Sequence, residues 1–111
     1  MIVTIFRSRL RPEHQAEYAE WAQRIHDLAT AMPGFLSITG FTAEDGERVS
    51  IVEFASEEAH RAWRDHPEHR VAQALGRQKF YAEYRIQVCR EVTTREFKDP
   101  RTHTNPHQPE A

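Results

Sequence analysis

The stretch from His60 to Tyr81, HRAWRDHPEHRVAQALGRQKFY, holds three histidines, a tryptophan, a proline and a glycine. Histidine has an unperturbed pKa close to working pH, so it can take or give a proton during a reaction. Spaced histidines can ligate a metal. Aromatic side chains can wall a pocket for a flat organic ligand. Which of these chemistries applies depends on which side chains share a face.

On a helical wheel of about 100° per residue, Ala59, Ala62 and Trp63 define the buried stripe of one short helix. His66 falls within that stripe, three positions after Trp63, and His60 lies on its flank. Val71, Ala72 and Leu75 mark the apolar stripe of the next helix, and His69 sits off it beside Arg70 and Gln73. The wheel therefore predicts Trp63 and His66 inward and His69 outward. His66 is the candidate proton acceptor, although a histidine beside a tryptophan on an apolar stripe can equally be structural. His14, on the apolar side of the first turn of a longer helix, could line the same cavity, and His26 falls off that stripe and reads as solvated. Trp63, Tyr84, Tyr81 and Arg77 are the candidate substrate contacts: the first two as ring-stacking walls, the last two as holders of a polar substituent at the rim.

A metal site is not expected. His66 and His69 do not face one another on the wheel, and no cysteine or third ligand stands at a usual zinc spacing. His103 and His107 are separated by Pro106, so no continuous helix brings them together. There is no nucleotide-binding loop, nucleophile elbow or paired-carboxylate pattern. Cys89 is the only cysteine, lies mid-strand and shows no sign of activation.

The elements that must position these residues follow from periodicity. IVTIFRSRL (2–10) is β-branched and aromatic and reads as a strand. Pro12 and Glu13 predict the start of a helix, and Tyr18, Trp21, Ala22, Ile25, Leu28, Ala29 and Met32 keep helical spacing up to the Pro33-Gly34 stop. Residues 35–43 and 48–56 read as two strands joined through the Asp45-Gly46 turn. Ser56 suits an N-cap, with Glu57 and Glu58 in the first turn of a helix to about residue 66. Asp65 and Glu68 have the spacing of a capping box around Pro67, predicting a break and a second short helix to Leu75, with Gly76 as its stop. Residues 80–92 read as the last strand, with Phe80, Ala82, Tyr84, Ile86 and Val88 on one face. The order β-α-β-β-α-β, with the second helical segment broken near Pro67, is that of a ferredoxin-like α+β fold with a four-stranded antiparallel sheet.

The strands carry apolar residues on both parities: Ile2, Phe6 and Leu10 against Val3 and Ile5; Val49 and Ile51 against Val52 and Phe54. A sheet with helices on one face and water on the other should alternate. Apolar residues on both parities fit either ordinary partial exposure or a second subunit packing its sheet against this one; the second reading predicts a homodimer closing an α/β barrel. The domain spans residues 1–92. The tail, 93–111, is polar, with three prolines, a composition suited to a disordered segment or to an arm resting on a partner subunit.

At 111 residues, with 39% hydrophobic and 29% charged residues, the chain can form one globular domain. A formal charge of −2 and a pI near 6.4 offer no attraction for nucleic acid or an anionic membrane. Neither a signal peptide nor a membrane span is expected, so the expected location is cytoplasmic.

The run W-x-x-H-P-x-H into G-R-x-x-F-Y-x-x-Y, Trp63 to Tyr84, together with the element order, resembles the antibiotic biosynthesis monooxygenase (ABM) family over residues 1 to about 92. The resemblance implies a homodimer of ferredoxin-like subunits, each with a cavity between sheet and helices. Some members oxidise polycyclic phenols with O₂ and no cofactor, the protein supplying an apolar pocket, orientation and deprotonation; others degrade haem. The haem-degrading members use an asparagine on the first strand, a tryptophan like Trp63, and a histidine where this chain has Gln73. With TIFRSRL lacking that asparagine, the resemblance points away from haem. The expected function is a cofactor-independent monooxygenase for a small aromatic or quinol-type substrate; the alternative is a non-catalytic dimeric barrel that binds a small molecule.

Overall fold

The structure, a computed structural model, describes residues 1–103. Its elements are β1 (Ile2–Leu10), α1 (Gln15–Ala31), β2 (Phe35–Thr42), β3 (Arg48–Phe54), α2 (Glu57–Arg64), α3 (Pro67–Leu75), a π-helical turn (Gly76–Phe80) and β4 (Tyr81–Arg90), with a short 3-10 turn at Pro100–His103. The four strands form one antiparallel sheet in the order β2-β3-β1-β4. This is the ferredoxin-like arrangement. His107 and the tail beyond residue 103 lie outside the described residues.

The even-numbered side of the central strands faces the helices. Val52 and Phe54 of β3 are buried against Ala29 of α1 and Trp63 of α2, and Ile25, Leu28, Met32, Phe35, Ile38 and Ala59 pack around them. Full burial of each large apolar side chain stabilises the fold by roughly 1.5–3 kcal/mol. Ser56 caps α2 as expected, its Oγ accepting from the Ala59 N–H at 3.1 Å. The β2–β3 hairpin turns at Gly46, whose φ of 94° needs glycine; the Asp45 carboxylate accepts from the Glu47 N–H. At the end of α1, Gly34 has φ 83°, and a Cβ there would lie 2.7 Å from the Ala59 Cβ, so glycine is required twice over.

Three expectations about helix ends are corrected. Helix α1 begins at Gln15, not at Pro12, because Arg11 is held elsewhere. Its N–H donates to the Phe80 carbonyl, and its side chain donates to the carbonyls of Tyr81 and Gln78. His14 then turns the chain with φ 60° before the first helical bond, Tyr18 N–H to His14 C=O. At Pro67 the break is real, but the cap is His66 rather than Asp65: His66 Nδ1 accepts from the Glu68 N–H at 3.1 Å. Gly76 does not stop α3. It stays right-handed (φ −55°), and the chain continues through the π-helical turn. Its role is spatial, since a Cβ there would come within 2.6 Å of the Tyr81 ring.

A register shift between Arg9 and Leu10 corrects the reading of β4. Arg9 pairs with Glu83, whereas Leu10 pairs with Tyr81. The extra residue, Ala82, is exposed. A bulge of this kind moves subsequent side chains to the other face. Tyr81 therefore joins Tyr84, Ile86 and Val88 on the helix side, in the place expected for Ala82.

Candidate functional site

Between the helices and the β1–β4 half of the sheet lies a partly open cavity of about 480 Å³, within the range of small-molecule sites. Strand side chains Thr4, Phe6, Tyr84, Ile86 and Val88 form its floor, and Tyr18, Trp21, His60, Trp63 and His69 its walls. Tyr84, Ile86 and Val88 are 40%, 52% and 50% exposed, so the mouth runs along the edge strand β4. Phe6, Tyr18, Tyr81 and Tyr84 form one aromatic group, with ring centroids 5.3–6.0 Å apart. Burial, reinforced by Tyr18, pushes the Tyr81 phenol well above its usual range, so Tyr81 stays protonated.

At the inner end Trp63, 7% exposed, packs on Phe54 (5.5 Å between centroids) and on His69 (4.3 Å). Its buried Nε1 has no hydrogen-bond partner among the described residues. His60 is 4% exposed, and its Nε2 shares a 2.9 Å hydrogen bond with Thr4 Oγ1. His69 Nδ1 lies 3.1 Å from the Trp63 carbonyl oxygen. A carbonyl only accepts, so Nδ1 carries the proton and neutral His69 keeps its lone pair on Nε2. Burial lowers the pKa of both histidines; Arg64 adds to the effect at His60, while the Trp63 carbonyl partly opposes it at His69. Both rings are therefore neutral bases at working pH.

Of the expected site residues, the cavity brings together Trp63, Tyr84, Arg77 and Tyr81. It does not include His66 or His14. His66 is turned back to cap α3, which consumes its Nδ1 lone pair; both histidines are half-buried, and it is His69, expected outward, that lines the cavity. His14 is exposed in the turn ahead of α1. His26 is exposed but stands at the cavity edge. Val71, expected inward, is 49% exposed. The face that α3 presents to the cavity is His69, Arg70, Ala72 and Gln73, which is polar because it borders a hollow and not a packed core. Two signals pointed to the histidines that sequence reasoning missed: His60 is one turn from Trp63 on α2, and His69 lies one turn before the Ala72–Gln73 pair. Among the described residues, no group of three or more His, Cys, Asp or Glu side chains could hold a metal ion, and no helix is long and apolar enough to cross a membrane.

A ferredoxin-like sheet with an aromatic, histidine-walled cavity under its helices defines a class of small α+β proteins. The chain belongs to the antibiotic biosynthesis monooxygenase family, whose model matches residues 1–75. It is 32% identical over 92 residues to the uncharacterized protein YqjZ of Bacillus subtilis, covering 83% of this chain and 81% of that one. Among solved structures it is similar to Rv0793 of Mycobacterium tuberculosis, with a TM-score of 0.74 and 18% identity over 86% of this chain and 98% of that one. It is also similar to SnoaB, a cofactor-independent oxygenase of Streptomyces nogalater, with a TM-score of 0.69 and 17% identity over 84% and 94% of the two chains. At these identities the structural likeness establishes the fold.

Proposed function

We propose that the chain is a cofactor-independent monooxygenase that oxidises a small aromatic or quinol-type substrate with O₂. The observation that supports this best is His69. Its tautomer is set by the Trp63 carbonyl, its pKa is lowered by burial, and it stands on the wall of an open aromatic cavity. Such a group can take a phenolic proton. The resulting electron-rich anion can reduce O₂ directly. For a ring methylene oxidised to a ring ketone, one oxygen atom ends in the carbonyl and the other in water, so no external reductant is needed. The family match and the likeness to a cofactor-independent oxygenase support the same reading. Trp63 and Tyr84 serve as ring contacts, and Tyr81 or Arg77 holds a polar substituent. His66, the proton acceptor expected from the wheel, is replaced in that role by His69.

Aerobic incubation with a panel of naphthols, anthrones and quinols, following O₂ uptake, tests the proposal. Turnover of at least one compound, lost in His69→Gln by about 10²–10⁴-fold, is the expected result. Absence of uptake across the panel would favour a non-catalytic binding module.

We further propose that the functional unit is a homodimer. The sheet face opposite the helices carries Val3, Ile5, Val49 and Ile51, all half-buried, and Phe41 at 54% exposure. Polar pairs surround them: Arg7 with Glu47, Arg9 with Asp45 and Glu83, and Ser37 with Glu53. An apolar centre with a polar rim is the anatomy of an interface.

A further inference from the structure

The chain as a whole is acidic, with a formal charge of −2. Its cavity has the opposite sign: the charged lining is Arg64, Arg70 and Arg77 against Asp65 alone. That one carboxylate is already taken. It accepts from Arg64 at 2.9 and 3.1 Å and pairs with Arg70 at 3.2 Å. Two guanidiniums share one carboxylate, so the group remains positive. The Arg77 side chain has no hydrogen bond or ion pair among the described residues. It follows Gln73 by four residues and Arg70 by seven, and all three line the cavity. Arg77 is exposed, so its guanidinium stands at the cavity mouth, where it can meet a charged group entering from solvent. It also presents a planar fork of donors that matches a carboxylate.

We propose that the cavity takes an aromatic acid, a phenol whose carboxylate is held by Arg77 while its ring lies against the Trp63–Tyr84 walls. This rests on the cavity being the ligand site proposed above, but not on catalysis. A cavity of about 480 Å³ suits a bicyclic or tricyclic acid of this kind. It makes Arg77 the residue that selects acids over their neutral analogues.

Isothermal titration of the full chain with 6-hydroxy-2-naphthoate and with its methyl ester tests the assignment. The two probes differ by one charge. The acid is expected to bind about tenfold or more tightly than the ester, since a charge-assisted pair is gained, and its affinity is expected to fall with added salt. Arg77→Gln should bring the acid down to the affinity of the ester. Unchanged ester binding by that variant shows that the cavity is intact. Arg48→Gln, which changes an arginine stacked on Tyr18 outside this cavity, should keep the preference. Equal binding of acid and ester, a preference that survives Arg77→Gln, a preference lost in Arg48→Gln instead, or no binding of either probe overturns the proposal. O₂ uptake is read separately. Acid selectivity without uptake leaves the aromatic-acid site standing and rejects the oxygenase reading. Uptake with acid and ester turned over equally well does the reverse.

Discussion

His66 and His69 stand three residues apart and have opposite fates. His66 ends the break at Pro67 and spends its Nδ1 on the Glu68 N–H. Removing that cap in His66→Ala should cost about 0.5–2 kcal/mol of stability, with turnover per folded molecule unchanged. Melting temperature and O₂ uptake on the same sample check both halves of this statement. His69 should show the converse, and its lowered pKa sets the sign of the pH dependence. A base must be unprotonated, so kcat/KM should rise with pH through an apparent pKa below about 6.5 and then level off. A plateau starting well above that value would exclude His69 as the titrating group. The same shifts govern stability. His60 and His69 bind protons less readily when folded than when unfolded. Their contribution is therefore complete above about pH 6.5 and is lost as pH falls below it. His60→Gln should flatten that acid limb in urea titrations at several pH values.

Among the elements, the π-helical turn and the bulge act together on one residue. The bulge at Arg9–Leu10 turns Tyr81 to the helix side, and Gly76 leaves room for its ring. π-helical segments often occur at functional sites because they re-aim side chains. Gly76→Ala should displace the Tyr81 ring, since the added methyl would start only 2.6 Å from it. The expected result is a loss of about 1–3 kcal/mol together with weaker aromatic-ligand binding, read by thermal denaturation and calorimetry. At Gly34 the obstacle is a second Cβ that cannot swing away, on a backbone with φ 83°. Gly34→Ala should destabilise at least as much, yet leave ligand affinity per folded molecule unchanged, because Gly34 lies away from the cavity lining.

For the whole molecule, the open sheet face sets the next expectation. Ile5 and Ile51 are direct cross-strand partners at its centre. Burying a charge there without a partner is costly, so Ile51→Glu should convert a dimer into a monomer in light scattering at micromolar concentration. A wild-type chain that is already monomeric at that concentration would end the dimer proposal. The segment after β4 bears on the same question. Residues 91–99 adopt no regular structure, and Val92 and Phe97 are 95% and 87% exposed. Large apolar side chains so placed suit an arm that reaches a second copy, and Phe97→Asp should weaken the dimer if it does.

The sequence by itself determined the element order, the strand boundaries to within about two residues, the Ser56 cap, the Asp45-Gly46 turn and the break at Pro67. These rest on local chemistry: dihedral preferences, capping and periodicity act within a few residues. It also singled out Trp63, Tyr81, Tyr84 and Arg77, because aromatic and cationic residues clustered around a helix–strand junction suggest a pocket whatever the exact geometry. Only the tertiary structure decided which histidines face it. A wheel assumes that the apolar residues of a short helix mark its inner side, and α3 breaks that assumption. It covers a hollow, so its inner face is His69 and Gln73 while Val71 points out. His60 was placed by a partner 56 residues away, Thr4, and Tyr81 by a one-residue shift against β1. Long-range pairing of this kind leaves no local periodic trace, and for that reason the places of His60, His69 and Tyr81 around the cavity became visible only when sheet and helices were brought together.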